Sequence, residues 1–576
     1  MVTLQSPSPR GVLPGTSALA CLEPLMRSAR SRRIRSAAAG TLTAALLATA
    51  AVGAAAPAAT AATASTTASA SSATFEFVDI PGSGGITLKG NVFTPGDYDG
   101  TRTYPMVVLP SSWSLNDLEY IAQAKKLADS GYVVVSYTSR GFWLSGGEIE
   151  VAGPEDVADI SKVIDWALAN TPADEDRIGM AGISYGAGLS LMGAAFDERV
   201  KAVVALSGWA DLVESLFTGR TQKLQASLML GGSGYLTGRP GDELKTVLGD
   251  FLAGRYDKEA ELRAWGKERS PATHVDRINA NGTAVMMGNA WGDSLFPPDQ
   301  LGAFYEKLEG PKRLEFRPGD HATAEATGLF GLPNDVWQDG VRWLDHHLKG
   351  ADNGIDAERP VRLKSRTGGG YEGYASWSAL ATEHKRLPLG GKGWLLGTGE
   401  LGAGAETDWS TGIGTNLDSG ANGGIIFLSN LADQLVQQPP SVSVPLLPRT
   451  VSAVWQSEKY GTAQRVRGSA KLHTTVTPSD DRGTLMAYLY DVDSFGTGKL
   501  VTHSAFTFTD RTPGRPFTLD LDLTATSYDV PAGHRLALVV DTVDPLYLEH
   551  NALGTTLTFS STAADPSWLS VPLDNR

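Results

Sequence analysis

The pentapeptide Gly182-Ile183-Ser184-Tyr185-Gly186 constrains the fold more than any other stretch of this chain. An apolar run over residues 177–181 leads into it as a buried strand would. Small and apolar residues follow over 187–195, as in a helix packed close to a sheet. A strand, a sharp turn and a helix raise the hydroxyl of the central serine above the sheet, and the flanking glycines leave room for the turn.

The first 64 residues are typical of an export signal. A basic segment (26–35) precedes an alanine-rich apolar run (37–56), and small-residue cleavage sites follow at 59–61 and 62–64. This order predicts a signal peptide and a secreted, extracellular protein. A membrane anchor is the alternative, but the run is weakly hydrophobic and a Ser/Thr/Ala segment follows it, so we expect no stable anchor. Arg32-Arg33 leaves the choice between the Sec and Tat routes open.

The charge and the cysteine content exclude several classes of partner and chemistry. The chain carries a net charge of −14, and because the leader holds six arginines and one glutamate, the rest carries −19. Such an acidic surface argues against nucleic acid or an anionic membrane as a partner. The single cysteine, Cys21, lies in the leader, so we expect neither disulfides nor thiol chemistry. No Cys/His cluster or HExxH motif indicates a metal site.

The length of 576 residues predicts two or three domains. Residues 65–355 alternate between short apolar runs and amphipathic stretches, which predicts a doubly wound α/β sheet. The predicted strands are an opening hairpin (75–78 with 86–93), then 106–109, 132–136, 177–181, 203–206, 284–287 and 314–316. Helices are predicted over 118–130, from Pro154 onward and over 334–348. Residues 211–275 interrupt this alternation of strands and helices, and they are predicted to form a modest helical cap.

From about residue 356 the hydrophobic period changes to two. Phe506 and Phe508, and then Phe517, Leu519 and Leu521, alternate with polar residues as half-buried antiparallel strands do. Gly-rich turns separate these runs, and no long helix is evident. Residues 356–576 are therefore predicted to form a C-terminal β-sandwich, or jelly-roll, domain.

Two further residues follow predicted strands in the order expected for an α/β-hydrolase. A serine hydroxyl becomes a good nucleophile when a neighbouring base accepts its proton, and on such a sheet an acid and then a histidine follow the serine. Asp293 follows the strand 285–287, and His321 follows the strand 314–316. We predict Ser184 as the nucleophile, His321 as the general base and then acid, and Asp293 as the carboxylate that orients the imidazole.

Other acids and histidines were weighed for these roles. Asp299 lies in a Pro-Pro-Asp helix start and Asp320 stands beside the histidine, so a capping or surface role suits both better. His274 lies at the end of the cap, and His346 and His347 lie on the predicted terminal helix. A solvated or packing role is expected for these three.

A tetrahedral oxyanion needs two hydrogen-bond donors. One is predicted to be the backbone N–H of Tyr185, the residue after the nucleophile. The other is expected from the loop 110–114 after the first central strand, and the backbone N–H of Trp113 is favoured. Two alternatives stay open for Trp113: its indole could donate, or its ring could pack over the mouth of the pocket.

Several stretches together resemble one family, the X-Pro dipeptidyl-peptidase-like (S15) hydrolases, which include cocaine-esterase-type and α-amino-acid ester hydrolases. They are 132–141 (YVVVSYTSRG) with 145–147 (SGG), 155–166, 182–186 (GISYG), 269–271 (RSP), 291–293 (WGD), 319–321 (GDH) and 528–536 (YDVPAGHRL). The resemblance covers nearly all of the chain after the leader. It implies a serine hydrolase that acts on esters or amides through an acyl-enzyme, without a cofactor, and that has a C-terminal jelly-roll.

The sequence does not decide between esters and Xaa-Pro peptides as the substrate. Thr138, the loop Ser111-Ser112-Trp113 and the short cap depart from the family pattern. We favour small carboxylic esters; the alternative is an Xaa-Pro dipeptidyl-peptidase, which must bind a free amino group. Asp211 and Glu214 could supply carboxylates for that, or they could be solvated acids at a helix start. A third hypothesis is a non-catalytic protein that binds a polymer or a surface. The sequence does not indicate an oligomeric state.

Overall fold

The computed structural model of this protein describes residues 72–393 and 397–575. The predicted leader, with Cys21, lies outside these ranges. The described chain forms an α/β domain followed by an all-β domain, as the sequence predicts. Within the same ranges no helix is long and apolar enough to cross a bilayer.

A ten-stranded sheet forms the centre of the first domain, with the order β1-β2-β4-β3-β5-β6-β7-β8-β9-β10. The pairings from β4 to β9 are parallel, and the two edges are antiparallel. The strands are β1 (Thr74–Pro81), β2 (Thr87–Thr94), β3 (Tyr104–Pro110), β4 (Val133–Tyr137), β5 (Ala173–Ile183), β6 (Val200–Leu206), β7 (Ala284–Ala290), β8 (Lys312–Arg317), β9 (Val361–Lys364) and β10 (Tyr371–Tyr374).

Helices cover both faces of this sheet, which explains why its central strands are apolar on both sides. Met106 and Val108 belong to one core, whereas Val107 between them belongs to the other. The helices are α1 (Ile121–Asp129), α2 (Pro154–Asn170), α3 (Tyr185–Phe196), α4 (Leu212–Leu216), α5 (Leu224–Thr237), α6 (Asp242–Leu252), α7 (Glu259–Glu268), α8 (Val275–Asn281), α9 (Pro298–Lys307), α10 (Ala326–Leu329) and α11 (Asp335–Lys349). The helices α4 to α7 lie in the predicted cap region (211–275) between β6 and β7, whereas α8 follows that region and packs against α3.

The first sheet extends past residue 355. Strand β9 pairs in parallel with β8, and β10 closes the edge as an antiparallel partner of β9. Residues 361–374 therefore belong to the first sheet, although their period-two pattern led the sequence analysis to group them with the second domain. An antiparallel hairpin at the edge of an α/β sheet carries the same alternation as a strand of a sandwich, so the pattern alone does not assign it.

The C-terminal strands form two sheets that share the long strand β11, which pairs with β24 through its first half and with β12 through its second. Apolar residues from both sheets, among them Leu472, Leu538 and Phe559, pack between them. The elements are β11 (Glu383–Lys392), β12 (Thr398–Leu401), β13 (Trp409–Gly414), α12 (Leu428–Val436), β14 (Ser441–Ser443), β15 (Ala453–Gln456), β16 (Gln464–Gly468), β17 (Lys471–Pro478), β18 (Gly483–Val492), β19 (Thr497–Phe508), β20 (Phe517–Asp522), β21 (Thr526–Val530), β22 (Arg535–Asp541), β23 (Thr556–Ser561) and β24 (Trp568–Leu573).

The all-β domain packs against the start of α9. Asp299 at that point is half-buried and accepts hydrogen bonds from the Ser469 hydroxyl (2.5 Å) and from the Ala525 backbone N–H (2.9 Å). The capping or surface role predicted for Asp299 is therefore wrong. The sequence places this residue at a helix start but does not reveal that the second domain covers it.

A buried ion-pair network holds the strand that leads to His321. Glu315 on β8 has no exposed surface and is bound by Arg313 (2.6 Å), Arg317 and Arg362 (3.2 Å). Removing one partner of a buried ion pair leaves uncompensated charge in the interior, which is strongly destabilising.

We expect Glu315→Ala to lower the free energy of unfolding by about 3–5 kcal/mol, because three arginines lose their shared carboxylate. Chemical denaturation followed by circular dichroism measures this change. Glu309→Ala is the matched control, since Glu309 is exposed. Equal stability of the two variants would contradict a supporting role for Glu315.

Candidate active site

The turn between β5 and α3 holds Ser184 in an unusual backbone conformation, with φ 57° and ψ −117°. A positive φ is strained for any residue with a side chain, and such strain persists only where the surroundings enforce it. A Cβ atom at Gly182 would lie 2.5 Å from the carbonyl carbon of Gly186. One at Gly186 would collide with the carbonyl oxygen of Pro110. Glycine is thus required on both sides of Ser184, and the turn has the geometry that the sequence predicts.

The structure brings the three predicted residues Ser184, His321 and Asp293 together. His321 Nε2 lies 2.8 Å from Ser184 Oγ, and His321 Nδ1 lies 3.0 Å from Asp293 Oδ2. The other carboxylate oxygen of Asp293 accepts the backbone N–H groups of Leu295 (2.9 Å) and Phe296 (2.8 Å). All three side chains are buried. The arrangement lets the imidazole accept a proton from the serine hydroxyl while the carboxylate fixes its tautomer.

Opposing effects act on the pKa of His321. Burial lowers it by disfavouring the imidazolium, whereas the charge of Asp293 and its hydrogen bond raise it, with a smaller contribution from Asp320. The net effect is a pKa above the ordinary histidine value. The imidazolium that would form on proton transfer is therefore stabilised in this site.

Two backbone N–H groups near Ser184 are available as donors. Those of Tyr185 and Trp113 have no acceptor among the described residues. The indole N–H of Trp113 is engaged elsewhere, because it donates to the carbonyl of Leu230 (2.9 Å). The Trp113 ring packs edge-on against Phe142 and Tyr185 and lines the pocket in front of Ser184. Of the alternatives left open for Trp113, packing at the pocket is observed, and the indole is not free to donate.

A carboxyl that the sequence analysis did not single out supports the loop before Trp113. Glu119 accepts the backbone N–H (2.7 Å) and the hydroxyl (2.6 Å) of Ser112. The same hydroxyl lies 2.9 Å from the carbonyl oxygen of Ile183, the residue before Ser184. Burial raises the pKa of Glu119 to about 7. These contacts hold the loop that carries the Trp113 N–H next to the serine turn.

Asp320 is not at the surface, so the role predicted for it is wrong. Its side chain is completely buried and receives donors from the loop after β7, from His321 and from the C-terminal domain. The three other histidines lie apart from this site, as predicted. The ring of His274 contacts the carbonyl of Glu268, and the rings of His346 and His347 pack on each other on α11.

Ser184 opens on a pocket of about 150 Å³ between the serine turn and the cap. Most of its lining is apolar, and it includes Trp113, Trp209, Leu216, Leu230, Leu248 and Trp265. No Asp or Glu is found among the described residues that line it. The charged side chains among these described residues are the cations Lys245 and Arg263, and each is paired with an acid on its own helix. The pocket is therefore suited to an uncharged, apolar group.

The acids considered for binding an amino group have other roles. Asp211 caps α4 by accepting the N–H groups of Val213 and Glu214 (both 3.1 Å), and it also pairs with Lys267. Glu214 is exposed to solvent and does not line the pocket. Both residues therefore lie at a helix start, as the second interpretation has it, but Glu214 is solvated whereas Asp211 is buried. Within the described ranges, no group of three or more His, Cys, Asp or Glu side chains is placed to hold a metal ion.

Two family models match the chain in succession. Residues 84–323 match the X-Pro dipeptidyl-peptidase (S15 family), and residues 353–568 match the X-Pro dipeptidyl-peptidase C-terminal non-catalytic domain. A Streptomyces avermitilis protein named "Putative Xaa-Pro dipeptidyl-peptidase" is 24% identical over 476 residues, which span 72% of this chain and 68% of the relative.

Solved structures share the whole fold at low sequence identity. A CocE/NonD family hydrolase from Staphylococcus aureus superposes with a TM-score of 0.66 at 13% identity, covering 87% of this chain and 96% of its own. An α-amino acid ester hydrolase gives a TM-score of 0.62 at 16% identity, covering 89% of this chain and 98% of its own. The two successive family models show that this chain belongs to the X-Pro dipeptidyl-peptidase-like (S15) family and is a serine hydrolase.

Proposed function

We propose that the protein is a secreted esterase that cleaves carboxylic esters with apolar acyl groups through an acyl-enzyme on Ser184. One observation carries this proposal: the hydrogen-bonded chain of Ser184, His321 and Asp293 opens on an apolar pocket, and no carboxylate is found among the described residues of its lining. The basic and apolar leader supports secretion.

The first half-reaction transfers the acyl group to the protein. As Ser184 Oγ attacks the ester carbonyl carbon, its proton passes to His321 Nε2 and the carbonyl oxygen becomes an oxyanion. The N–H groups of Tyr185 and Trp113 are the donors proposed to hold that oxyanion. When the tetrahedral intermediate collapses, the carbon–oxygen bond to the alcohol breaks, and the alcohol leaves with the proton from His321.

The second half-reaction releases the acid. A water molecule gives a proton to His321 Nε2 and adds to the acyl carbon, and the same two N–H groups hold the new oxyanion. Collapse breaks the bond to Ser184 Oγ, which regains the proton from His321. Asp293, hydrogen-bonded to His321 Nδ1, stabilises the imidazolium in both half-reactions.

The pocket favours an ester over an Xaa-Pro dipeptide. A dipeptidyl-peptidase binds the free ammonium group of its substrate, and burying an ammonium without an anionic or hydrogen-bonding partner is costly. Asp211 is occupied as a helix cap, and the charged side chains at the pocket, Lys245 and Arg263, provide no anionic partner for an ammonium group. The Xaa-Pro dipeptidyl-peptidase remains the second candidate, since the family model and the Streptomyces relative bear that name. The hydrogen-bonded set of Ser184, Asp293 and His321, in the chain order of an α/β-hydrolase, makes a purely binding role the weakest of the three hypotheses.

The proposal predicts hydrolysis of p-nitrophenyl esters, with kcat/KM rising as the acyl chain lengthens, and no turnover of Ala-Pro-p-nitroanilide. The gain is about 0.8 kcal/mol per buried methylene, or roughly fourfold, until the pocket is full. Ser184→Ala is the control and is expected to lose activity on the order of 10⁶-fold. Faster cleavage of the anilide than of the esters would instead establish the exopeptidase.

The electrostatics of His321 predict the pH dependence of the ester reaction. Only the neutral imidazole can accept the serine proton, so activity is lost as the pH falls through the pKa of His321. Because that pKa is raised, the acid limb of the kcat/KM profile should have its midpoint above the ordinary value of about 6.5. Asp293→Asn removes the charge that raises it, so the midpoint should move to lower pH and kcat should fall by roughly 10⁴-fold. A midpoint that does not move in this variant would disprove the assignment of Asp293.

A further inference from the structure

We infer that helix α12 of the C-terminal domain positions the loops that carry Asp293 and His321, and that Asp320 and Asn430 are the positioning residues. The inference rests on the proposed function, because it concerns the alignment of the groups proposed to act on the ester. It gives a role in the reaction to a domain whose family description calls it non-catalytic.

Asp320 joins two loops of the α/β domain. Its Oδ1 accepts the backbone N–H of His321 (2.6 Å) and both the backbone N–H (2.9 Å) and the hydroxyl of Ser294. Ser294 directly follows Asp293, and His321 directly follows Asp320. One carboxylate oxygen therefore fixes the distance between the loop of the acid and the loop of the histidine.

The second oxygen of Asp320 is held by the C-terminal domain. Its Oδ2 accepts the backbone N–H of Phe427 (3.1 Å) and the side-chain amide of Asn430 (2.9 Å). The same amide nitrogen of Asn430 donates to the carbonyl of Gly292 (2.7 Å), the residue before Asp293. Asn430 thus contacts both loops at once.

Helix α12 packs closely against the loops that carry Asp293 and His321. A Cβ atom at Gly292 would lie 2.5 Å from the side-chain amide carbon of Asn430, and one at Gly319 would lie 3.0 Å from Gln434 Oε1. The approach of Asn430 thus favours glycine at 292, whereas at Gly319 a φ of 139° and the Thr323 hydroxyl, 2.6 Å from such a Cβ atom, favour glycine as well. Phe427 at the start of the helix has φ 63° and ψ −47°, a strained conformation that accompanies its N–H bond to Asp320.

The helix is in turn tied to β19 of its own domain through Arg366, a residue that follows β9 of the first sheet. Asp433 on α12 pairs with Arg366 (2.8 Å), and both side chains are buried. Arg366 also donates to the carbonyls of Val501 (2.6 Å) and Leu500 (3.3 Å) on β19. Hydrogen bonds thus connect β19, through Arg366 and α12, to the two loops that carry Asp293 and His321. The residues that make these bonds do not line the pocket that is proposed for the acyl group.

Two substitutions of Asn430 separate positioning from simple packing. Asn430→Ala removes the amide, whereas Asn430→Asp keeps its shape but sets a carboxylate against Asp320. We expect kcat for a short p-nitrophenyl ester to fall about 10- to 100-fold in Asn430→Ala and further in Asn430→Asp, because misalignment of reacting groups costs rate. KM should stay within about twofold, since the pocket is unchanged. The rate at which a fluorophosphonate probe labels Ser184 should fall in parallel with kcat.

The control variant is Gln438→Ala, which alters an exposed amide two residues beyond α12 and should behave as wild type. Wild-type kcat and labelling rates in both Asn430 variants would overturn the inference. A loss of activity matched by an equal loss of folded protein in thermal unfolding would also overturn it, because the role would then be structural. If the wild-type protein shows no turnover that depends on Ser184, both the proposed function and this inference are overturned. If the wild type is active and the Asn430 variants are equally active, only the positioning role is overturned.

Discussion

The strained backbone at Ser184 is the constraint on which the site depends. A positive φ at this residue turns the chain sharply from β5 into α3, and it is tolerated because Gly182 and Gly186 allow close backbone contact within the turn and with Pro110. The turn sets the Oγ atom against His321 and leaves the N–H of Tyr185 unpaired at the start of a helix. The positions of the proposed nucleophile, of one proposed oxyanion donor and of the mouth of the pocket thus follow from one local conformation.

The partners of Ser184 depend on contacts that are distant in sequence. His321 and Asp293 lie on loops after two adjacent parallel strands, so the sheet alone brings them near each other. Their final spacing involves Asp320, and Asp320 is held in turn by a helix more than one hundred residues further along the chain. The C-terminal domain therefore contributes to the alignment of the site without lining its apolar pocket, which agrees with a hydrolase whose two domains work as one unit.

The parts of the fold and site that the sequence predicts are those set by local pattern. The glycines around Ser184, the apolar runs before Asp293 and His321, and the alternation in the second domain indicate their structures directly. The sequence predicts strands β9 and β10 as part of the second domain, because an edge hairpin and the strands of a sandwich show the same period-two alternation of apolar and polar residues. Asp299 and Asp320 were expected at the surface because burial by another domain leaves no local signal. Helix α12 does have a local signal in the sequence, because Leu428, Leu431 and Leu435 recur at helical spacing.

The central claim is that Ser184 carries the acyl group during turnover, and trapping the intermediate tests it most directly. The protein would be mixed rapidly with a p-nitrophenyl ester, quenched in acid, digested and analysed by peptide mass spectrometry. The account predicts one acyl adduct, on the peptide that contains Ser184, and none in the Ser184→Ala variant. Turnover with the acyl group on another residue, or persistence of both turnover and adduct in Ser184→Ala, would contradict it.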